Sequence, residues 1–298
     1  MTEARLRALV TVADTGSVRA AAVRLVVTES AVSAAVSALG RDLGVPLLAR
    51  AGRGLRLTTA GETYLSYARR VLGLLEEGRA AARGELDPGL GRLRLAAVTT
   101  AGEQLLPATL ASFHRRWPDV ELVLEVCPSA RVWHLLSMYE VDLVLAGRPP
   151  ADAAVTVLAT RANELVAVAE PGLASRFRLA GTPWLLREPG SGTRATVEAY
   201  LAEQEADPPR LVLGSTGAVV AGAIAGLGVA LVSRDGVRAD LAAGRLVPVP
   251  APGLPLRRPW HAVAGPTPTG TTRLFVDHLL AEDGRPRWRR VRLGAAAR

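Results

Sequence analysis

The sequence predicts an α/β protein with an N-terminal all-α winged helix-turn-helix and a C-terminal region of two Rossmann-like subdomains. Two observations carry this prediction. The first 60 residues hold short alanine-rich helical patterns, followed by a Gly-Arg-Gly turn between two apolar runs. Beyond residue 91, short apolar strands alternate with amphipathic helical patterns, which is typical of α/β layers. The 298 residues are enough for two or three domains.

Residues 17–39 are predicted to form two short helices joined by a tight turn. Ser17 is a good N-cap for a first helix that ends near Leu25, and Thr28 offers a second N-cap. The apolar positions of the second helix recur at helical spacing: Val32, Val36 and Leu39. On these residues alone, two packed alanine-rich helices are as good an interpretation as a helix-turn-helix. The residues that follow decide between them.

A β-hairpin wing is predicted after the helix pair. Two short apolar pieces, Val45–Leu48 and Leu55–Leu57, flank a Gly-Arg-Gly turn, as expected of a hairpin. Three arginines lie on the tip of this wing: Arg50, Arg53 and Arg56.

These elements and their motifs resemble the N-terminal domain of LysR-type transcriptional regulators. The resemblance is carried by the motifs Ala20-Ala21, Arg24-Leu25, Ser30-Ala31-Val32-Ser33, Leu39, Leu43-Gly44-Val45, Leu47-Leu48, Arg50, Gly52-Arg53 and Leu57-Thr58-Thr59-Ala60-Gly61. It continues through the C-terminal region to about residue 281. Glu29 stands where the family usually has Gln, and Ala34-Ala35 stand where it often has a basic or amide residue. Both departures concern base preference.

The resemblance implies a regulator that binds double-stranded operator DNA and senses a small-molecule effector. It also implies a homodimer, which in this family usually assembles further into a homotetramer, and RNA polymerase is a candidate partner. In this arrangement the second helix faces the major groove and the wing arginines hold phosphates. The predicted DNA-binding residues are Thr28, Glu29, Ser30, Ser33, Ala34, Ser37, Arg50, Arg53 and Arg56.

One long helix is predicted from residue 59 to about residue 85, with Thr59 as its cap. Four apolar residues spaced three, four and three apart form a short heptad seam on it: Leu65, Ala68, Leu72 and Leu75. We favour dimerisation through this seam, because a polar helix of this length needs a partner. Packing of the same face on its own helix-turn-helix domain is the alternative.

The C-terminal region is predicted to cross between two subdomains near residue 163 and to return near residue 265. This resembles the periplasmic-binding-protein architecture that the LysR family uses as its sensor. The predicted parts are a winged helix-turn-helix at 1–58, a linker or dimerisation helix at 59–87, a hinge at 88–91, a first effector subdomain at 92–163 and 265–284, a second at 164–264, and a basic tail at 285–298. Trp288 lies among arginines in that tail, which fits a nucleic-acid contact or a solubilising segment equally well.

The effector site is predicted past the carboxyl ends of the strands, where helices begin. Hydroxyls and backbone N–H groups at helix N-termini suit a carboxylate or a phosphate. The run Glu188–Arg194 is the sharpest such segment, and it resembles the branch of the family that controls carbon-fixation genes. An ordinary N-cap is the alternative for each Ser or Thr, and Glu198 is an alternative partner for Arg194. The predicted effector-binding residues are Thr99, Thr100, Ser129, Arg148, Ser191, Gly192, Thr193, Arg194, Ser215 and Thr216.

Charge is unevenly distributed along the chain. Residues 1–84 hold 12 arginines and 7 acids, residues 85–284 hold 18 arginines and 21 acids, and the last fourteen residues hold 6 arginines and no acid. A basic N-terminal module beside a mildly acidic body is expected when the module meets phosphates. No stretch of 18 apolar residues or signal-peptide pattern is present, so we expect a cytoplasmic protein with no membrane contact.

An enzyme that acts on a small metabolite in the α/β cleft is the alternative function. All 36 basic residues are arginines, so Schiff-base and phosphate-loop lysines are excluded. The single Cys127 excludes an intrachain disulfide and a multi-cysteine zinc site. No catalytic constellation or metal-ligand spacing is found, and we therefore predict no enzyme activity, no cofactor and no metal. An exported solute-binding protein does not fit the basic N-terminal module.

Overall fold

The computed structural model describes residues 2–51, 54–84, 87–281 and 287–291. It divides into two compact units, the first built mainly on the initial 82 residues and the second on the remainder. The described elements of the N-terminal unit are α1 (Glu3–Thr15), α2 (Val18–Leu25), α3 (Glu29–Leu43), β1 (Leu48–Ala51), β2 (Gly54–Leu57) and α4 (Thr59–Gly84).

The helix-turn-helix and the wing form as the sequence predicts, with shifted ends. The Ser17 hydroxyl accepts a hydrogen bond from the Ala20 N–H, and the Thr28 hydroxyl accepts one from the Ala31 N–H, so both predicted N-caps are confirmed. Helix α3 runs four residues past its predicted end, because Leu39 and Gly40 are buried and Gly44, at φ +73°, ends it.

Thr58, rather than the predicted Thr59, caps α4. Its hydroxyl accepts a hydrogen bond from the Gly61 N–H at 2.9 Å and donates one to the Pro46 carbonyl at 2.7 Å. The cap therefore also ties the start of α4 to the chain that enters the wing.

The predicted heptad seam of α4 packs on its own domain. Ala68 and Leu72 are buried in a cluster with Leu9 and Leu39, and Leu65 packs against the same cluster. The prediction that the seam holds a dimer is therefore wrong for these three residues, for which the alternative is confirmed, whereas Leu75, the fourth residue of the seam, is 42% exposed. Spacing alone could not distinguish the two, since a helix shows the same periodicity toward its own core and toward a partner.

The C-terminal unit contains two mixed sheets. Its strands are β3 (Arg92–Ala97), β4 (Glu121–Val126), β5 (Leu143–Ala146), β6 (Thr156–Arg161), β7 (Glu164–Ala169), β8 (Trp184–Leu186), β9 (Arg210–Val212), β10 (Val229–Ser233), β11 (Val247–Pro248), β12 (Leu256–Arg257), β13 (Trp260–Ala264) and β14 (Trp288–Arg290). Its helices are a π-helical turn (Ala101–Leu105), α5 (Leu106–Arg116), α6 (Ser129–Ser137), α7 (Pro171–Ala174), α8 (Gly192–Glu203), α9 (Thr216–Ile224), α10 (Arg238–Ala242) and α11 (Gly270–Ala281), with 3-10 turns at Pro88–Leu90 and Arg234–Val237.

The first sheet has the strand order β14-β6-β13-β5-β3-β4, and the second has the order β11-β7-β10-β8-β9, with β12 also on β7. In the first sheet β3 runs parallel to β4 and β5, and β13 runs antiparallel to β5 and β6. Around each sheet lies a separate core, centred on Phe113 and Phe275 in the first and on Trp184 and Tyr200 in the second. Two α/β subdomains are thus present, as predicted.

The subdomain boundary after residue 264 is wrong. Strand β13 pairs with β5 through His261↔Ala146 and belongs to the first sheet, so the chain has returned before Trp260. The two crossing segments meet where the Arg258 N–H donates to the Asn163 carbonyl and the Asn163 amide donates to the Arg258 carbonyl. The apolar pattern at 260–264 fits a strand of either sheet equally well. For this reason the prediction assigned this strand to the wrong subdomain.

Three further segments differ from the prediction. Strand β6 was not predicted, because it is mostly only partly buried and its apolar run is just three residues long, at 157–159. Residues 288–290 of the predicted basic tail form β14 on the edge of β6, with Trp288 buried. The predicted hinge at 88–91 contains a 3-10 turn that packs on α11, where the Thr271 hydroxyl donates to the Pro88 carbonyl. Residues 285, 286 and 292–298 of the tail lie outside the described residues.

Candidate functional sites

The first candidate site is the exposed side of α3. Thr28, Glu29 and Ser30 are exposed at its N-terminus, and the hydroxyls of Thr28 and Ser30 share a hydrogen bond of 2.9 Å. Further along the helix Ser33, Ala34 and Ser37 are also exposed, and all three are small. The helix can therefore approach a partner closely along this side.

The wing arginines are only partly described. Arg56 lies on β2, opposite Ala49, and is exposed. Arg53 and the side chain of Arg50 lie outside the described residues. Six of the predicted DNA-binding residues therefore lie on α3 or at its N-cap, and all six are exposed. Arg56 is exposed on the hairpin that follows.

The second candidate site is a cavity of about 90 Å³ between the two subdomains of the C-terminal unit. Seven predicted residues line it, from the ends of strands in both sheets and the starts of helices: Thr99, Thr100, Ser129, Arg148, Ser191, Gly192 and Thr193. The walls meet closely, since a Cβ added at Gly192 would lie 3.4 Å from the Ser129 Cβ. Helices α6 and α8 both begin at this cavity, so their N-terminal N–H groups favour an anion there.

Three predicted residues do not line this cavity. The Arg194 guanidinium donates to the Glu198 carboxylate at 2.8 Å and to the Arg187 carbonyl at 3.2 Å. Ser215 caps α9 by accepting from the Ala218 N–H. Thr216 accepts a hydrogen bond from Arg187. The alternatives given for two of these residues therefore hold: Arg194 pairs with Glu198 on the same helix, and Ser215 is an N-cap.

Several lining residues were missed by the sequence reasoning, which followed strand ends and hydroxyls. Among them are Asn163, Arg187, Arg258 and Trp260. Arg187 directly follows β8 and directly precedes the predicted segment Glu188–Arg194. The rule that ligands bind past strand ends could therefore have identified it. Arg258 comes just before β13, and the misplaced boundary concealed it.

Two arginines give the cavity an uncompensated positive charge. Burial, and then the neighbouring charge of Arg148, lower the pKa of Arg258 from its ordinary value. Within the described part of the chain, neither guanidinium forms an ion pair, whereas Arg187 is matched by both oxygens of Glu188. Trp260 adds an indole N–H that is buried without a partner there. A ligand that accepts hydrogen bonds and carries negative charge fits this lining.

Cys127 also lines the cavity, and its thiol is held neutral. Burial and then the nearby Glu125 carboxylate raise the pKa of Cys127 to about 11. A neutral thiol is a poor nucleophile. In the described residues no group of three or more His, Cys, Asp or Glu side chains could hold a metal ion.

The two units match two family models. Residues 4–62 match the bacterial regulatory helix-turn-helix protein model of the lysR family, and residues 87–284 match the LysR substrate binding domain. The chain belongs to the LysR family. It is a DNA-binding transcriptional regulator with an effector-binding domain, and the family is non-enzymatic, so the enzyme alternative has no support.

Relatives of this LysR-type regulator carry the same kind of name. It is 33% identical over 248 residues to the HTH-type transcriptional regulator CbbR of Rhodospirillum rubrum, covering 82% of this chain and 83% of that protein. It is 32% identical to the RuBisCO operon transcriptional regulator of Acidithiobacillus ferrooxidans, covering 93% of both chains. The regulatory domain of Synechocystis CcmR, solved in complex with 2-PG, matches with a TM-score of 0.59 and 28% identity over 64% of this chain and 96% of that one.

No single helix in the described part of the LysR-type regulator is long and apolar enough to cross a membrane. Helices α2 and α3 reach that length and composition only when taken together, across a bend of 106°.

Proposed function

We propose that this regulator binds its operator with the exposed side of α3 and changes its DNA binding when a small anionic metabolite occupies the cavity. The observation that carries the proposal is the pair Arg148 and Arg258 on one cavity, without a carboxylate partner among the described residues. Both guanidiniums line the same cavity, so their like charges repel each other, and a bound anion relieves that repulsion.

The two kinds of residue at the cavity have separate tasks in this proposal. Arg148 and Arg258 attract the anion, and the hydroxyls and N–H groups at the starts of α6 and α8 fix its orientation. An occupant that touches both subdomains binds their closed arrangement better than an open one, and this difference in affinity is what shifts the population. The proposal also includes the predicted hinge at 88–91 and the predicted limits of the two effector subdomains, with β13 reassigned to the first subdomain.

The names of the relatives indicate where to search for the metabolite. Regulators named for the RuBisCO operon, and a related domain solved with 2-PG, support an operon of carbon metabolism as the target. Phosphorylated carboxylates are therefore the first compounds to test, since both of their charged groups suit guanidinium partners.

We also propose that the regulator is a dimer joined through α4. The face that remains exposed on α4 carries Tyr67, Val71 and Leu74, at 57%, 42% and 55% exposure, and Leu75 of the predicted seam is exposed as well. These residues recur every three or four positions, so they form one apolar stripe. Tetramer formation, contact with RNA polymerase and a cytoplasmic location stay predictions.

Calorimetry on the full-length protein tests the effector proposal with three probes: 2-PG, inorganic phosphate and acetate. We expect the two probes that contain a phosphate group to bind more tightly than acetate, and Arg258→Gln to weaken their binding at least tenfold. Arg257→Gln, an exposed neighbour on β12, is the matched control and should bind like the wild type. Equal binding of all probes by wild type and Arg258→Gln would overturn the proposal.

Binding to DNA is tested separately. The wild type is titrated with its own upstream DNA at several salt concentrations, with and without the probe that binds. Specific binding whose affinity changes with the probe supports the whole proposal. Binding that ignores sequence and disappears with salt would contradict the assignment of α3 as the recognition helix.

A further inference from the structure

We infer that Glu29 is a specificity-determining residue and that it requires a cytosine in each half-site of the operator. This inference rests on the proposed use of α3 as the recognition helix and goes beyond it by naming the base. Glu29 is the first residue of α3, and it is exposed. The N-terminal residues of a recognition helix are those that reach base edges in the major groove.

The neighbours of Glu29 are committed to other bonds. Thr28 uses its hydroxyl to cap the helix through the Ala31 N–H at 3.2 Å, and it shares a second hydrogen bond with Ser30. These two short side chains therefore stabilise the first turn of α3. The carboxylate of Glu29 has no hydrogen bond or ion pair within the described residues, so it is available to an outside donor.

The remaining exposed side of α3 has no side chain that competes for that position. Ser33, Ala34 and Ser37 are short, and the next long side chain is Arg41, three turns further along. Small residues let the helix lie deep in the groove, which brings Glu29 to the bases. Glu29 therefore has the longest reach in the part of the helix that faces the groove floor.

A carboxylate can only accept hydrogen bonds. On the floor of the major groove, guanine and the thymine oxygen offer acceptors, whereas the amino groups of cytosine and adenine offer donors. Adenine places its N7 acceptor beside that donor and would repel the second carboxylate oxygen. Cytosine has no such neighbour on its own edge, so it is the base that Glu29 accepts from.

Electrostatics make the requirement strict. The arginine-rich N-terminal 84 residues bring α3 against the phosphate backbone of the DNA. Because the phosphates are negatively charged, they repel an unpaired carboxylate at this interface. The positive end of the α3 dipole offsets part of this repulsion. Only a donor from the base compensates for the remainder, and sequences without that cytosine are therefore discriminated against.

Selection from a randomised duplex library tests the inference on the full-length protein, with Glu29→Gln and Glu62→Gln in parallel. Glu62 is an exposed carboxylate in the first turn of α4, and its variant removes the same charge away from α3. The wild type and Glu62→Gln should both select cytosine at one position of each half-site. Glu29→Gln should select adenine there, because an amide donates to N7 and accepts from the amino group of adenine.

Titration of matched duplexes gives the size of the effect. We expect the cytosine-over-adenine preference of the wild type to be roughly tenfold and to reverse in Glu29→Gln. Unchanged base selection by Glu29→Gln, with specific binding retained, overturns the inference and leaves the proposed function standing. If the wild type selects no sequence, the recognition-helix assignment fails and the inference fails with it.

Discussion

Arg187 donates a hydrogen bond across the cleft to the hydroxyl of Thr99, with 3.4 Å between Nη2 and Oγ1. Thr99 follows β3 in the first sheet, and Arg187 follows β8 in the second. The same guanidinium binds both oxygens of Glu188, at 2.7 and 2.6 Å, and donates to Thr216 on its own side. The bond across the cleft is therefore the longest that Arg187 makes, and it is the one that opening the cleft would break.

We expect Arg187→Gln to lower the free energy of unfolding of the effector domain by about 2 kcal/mol. The substitution leaves Glu188 without its partner, and the loss is below that of a fully buried pair because Glu188 is partly exposed. Thr99→Val removes only the long bond and should cost less than about 1 kcal/mol. Urea unfolding followed by tryptophan fluorescence measures both, since all five tryptophans lie after residue 110. Equal costs for the two variants would mean that the bond to Thr99 is the main one.

The sequence predicts the local elements of the N-terminal unit well, because short-range chemistry decides them. Ser17 and Thr28 cap their helices as expected, and the two strands of the wing pair antiparallel, from Leu48 opposite Leu57 to Ala51 opposite Gly54. What the apolar face of α4 packs against was not predictable in the same way. Ala68 and Leu72 have the spacing of a dimer seam and of a core stripe alike, and only the three-dimensional packing chooses between them.

The effector cleft was predictable where strand ends mark it and not where the chain crosses between sheets. Thr99, Ser129 and Gly192 follow or begin the expected elements and line the cavity. Arg258 lies in the returning segment, and its place depends on the pairing of β13 with β5, a long-range contact without a local signal. The most informative charge at the site was therefore missed.

Val26 has a left-handed backbone, at φ 56° and ψ 46°, and its side chain is 89% exposed. A β-branched residue is strained in this region, whereas Asn adopts it more easily. We expect Val26→Asn to raise the free energy of unfolding by about 1 kcal/mol, measured by urea unfolding with circular dichroism. Val23→Asn is the control: Val23 is also exposed but lies within α2, where Asn brings no relief. Destabilisation by both substitutions would show that the valines have a common packing role.

Glu3 on α1 accepts hydrogen bonds from Arg79 of α4, which link the two helices, and one from Arg7 within α1. Hydrogen bonds from Arg79, and then from Arg7, lower the pKa of Glu3 to about 2. A lowered pKa in the folded state contributes stability that is present above the unfolded value near 4.5 and is lost as the pH falls toward 2. We therefore expect Glu3→Gln to increase amide exchange in α1 and α4 at pH 6, and its difference from wild type to shrink below pH 4.5. Glu62→Gln, which removes no arginine pair among the described residues, should show no such trend.

The stripe of Tyr67, Val71 and Leu74 gives the sharpest test of oligomerisation. Val71→Glu places a carboxylate in the proposed apolar interface, where it loses water without gaining a partner. We expect the dimer dissociation constant to rise roughly 100-fold, equal to about 3 kcal/mol, when measured by sedimentation. Val23→Glu makes the same chemical change on α2 and should leave the dimer intact. If Val71→Glu sediments as the wild type does, the exposed stripe of α4 does not join the subunits, and the proposed dimer interface is overturned.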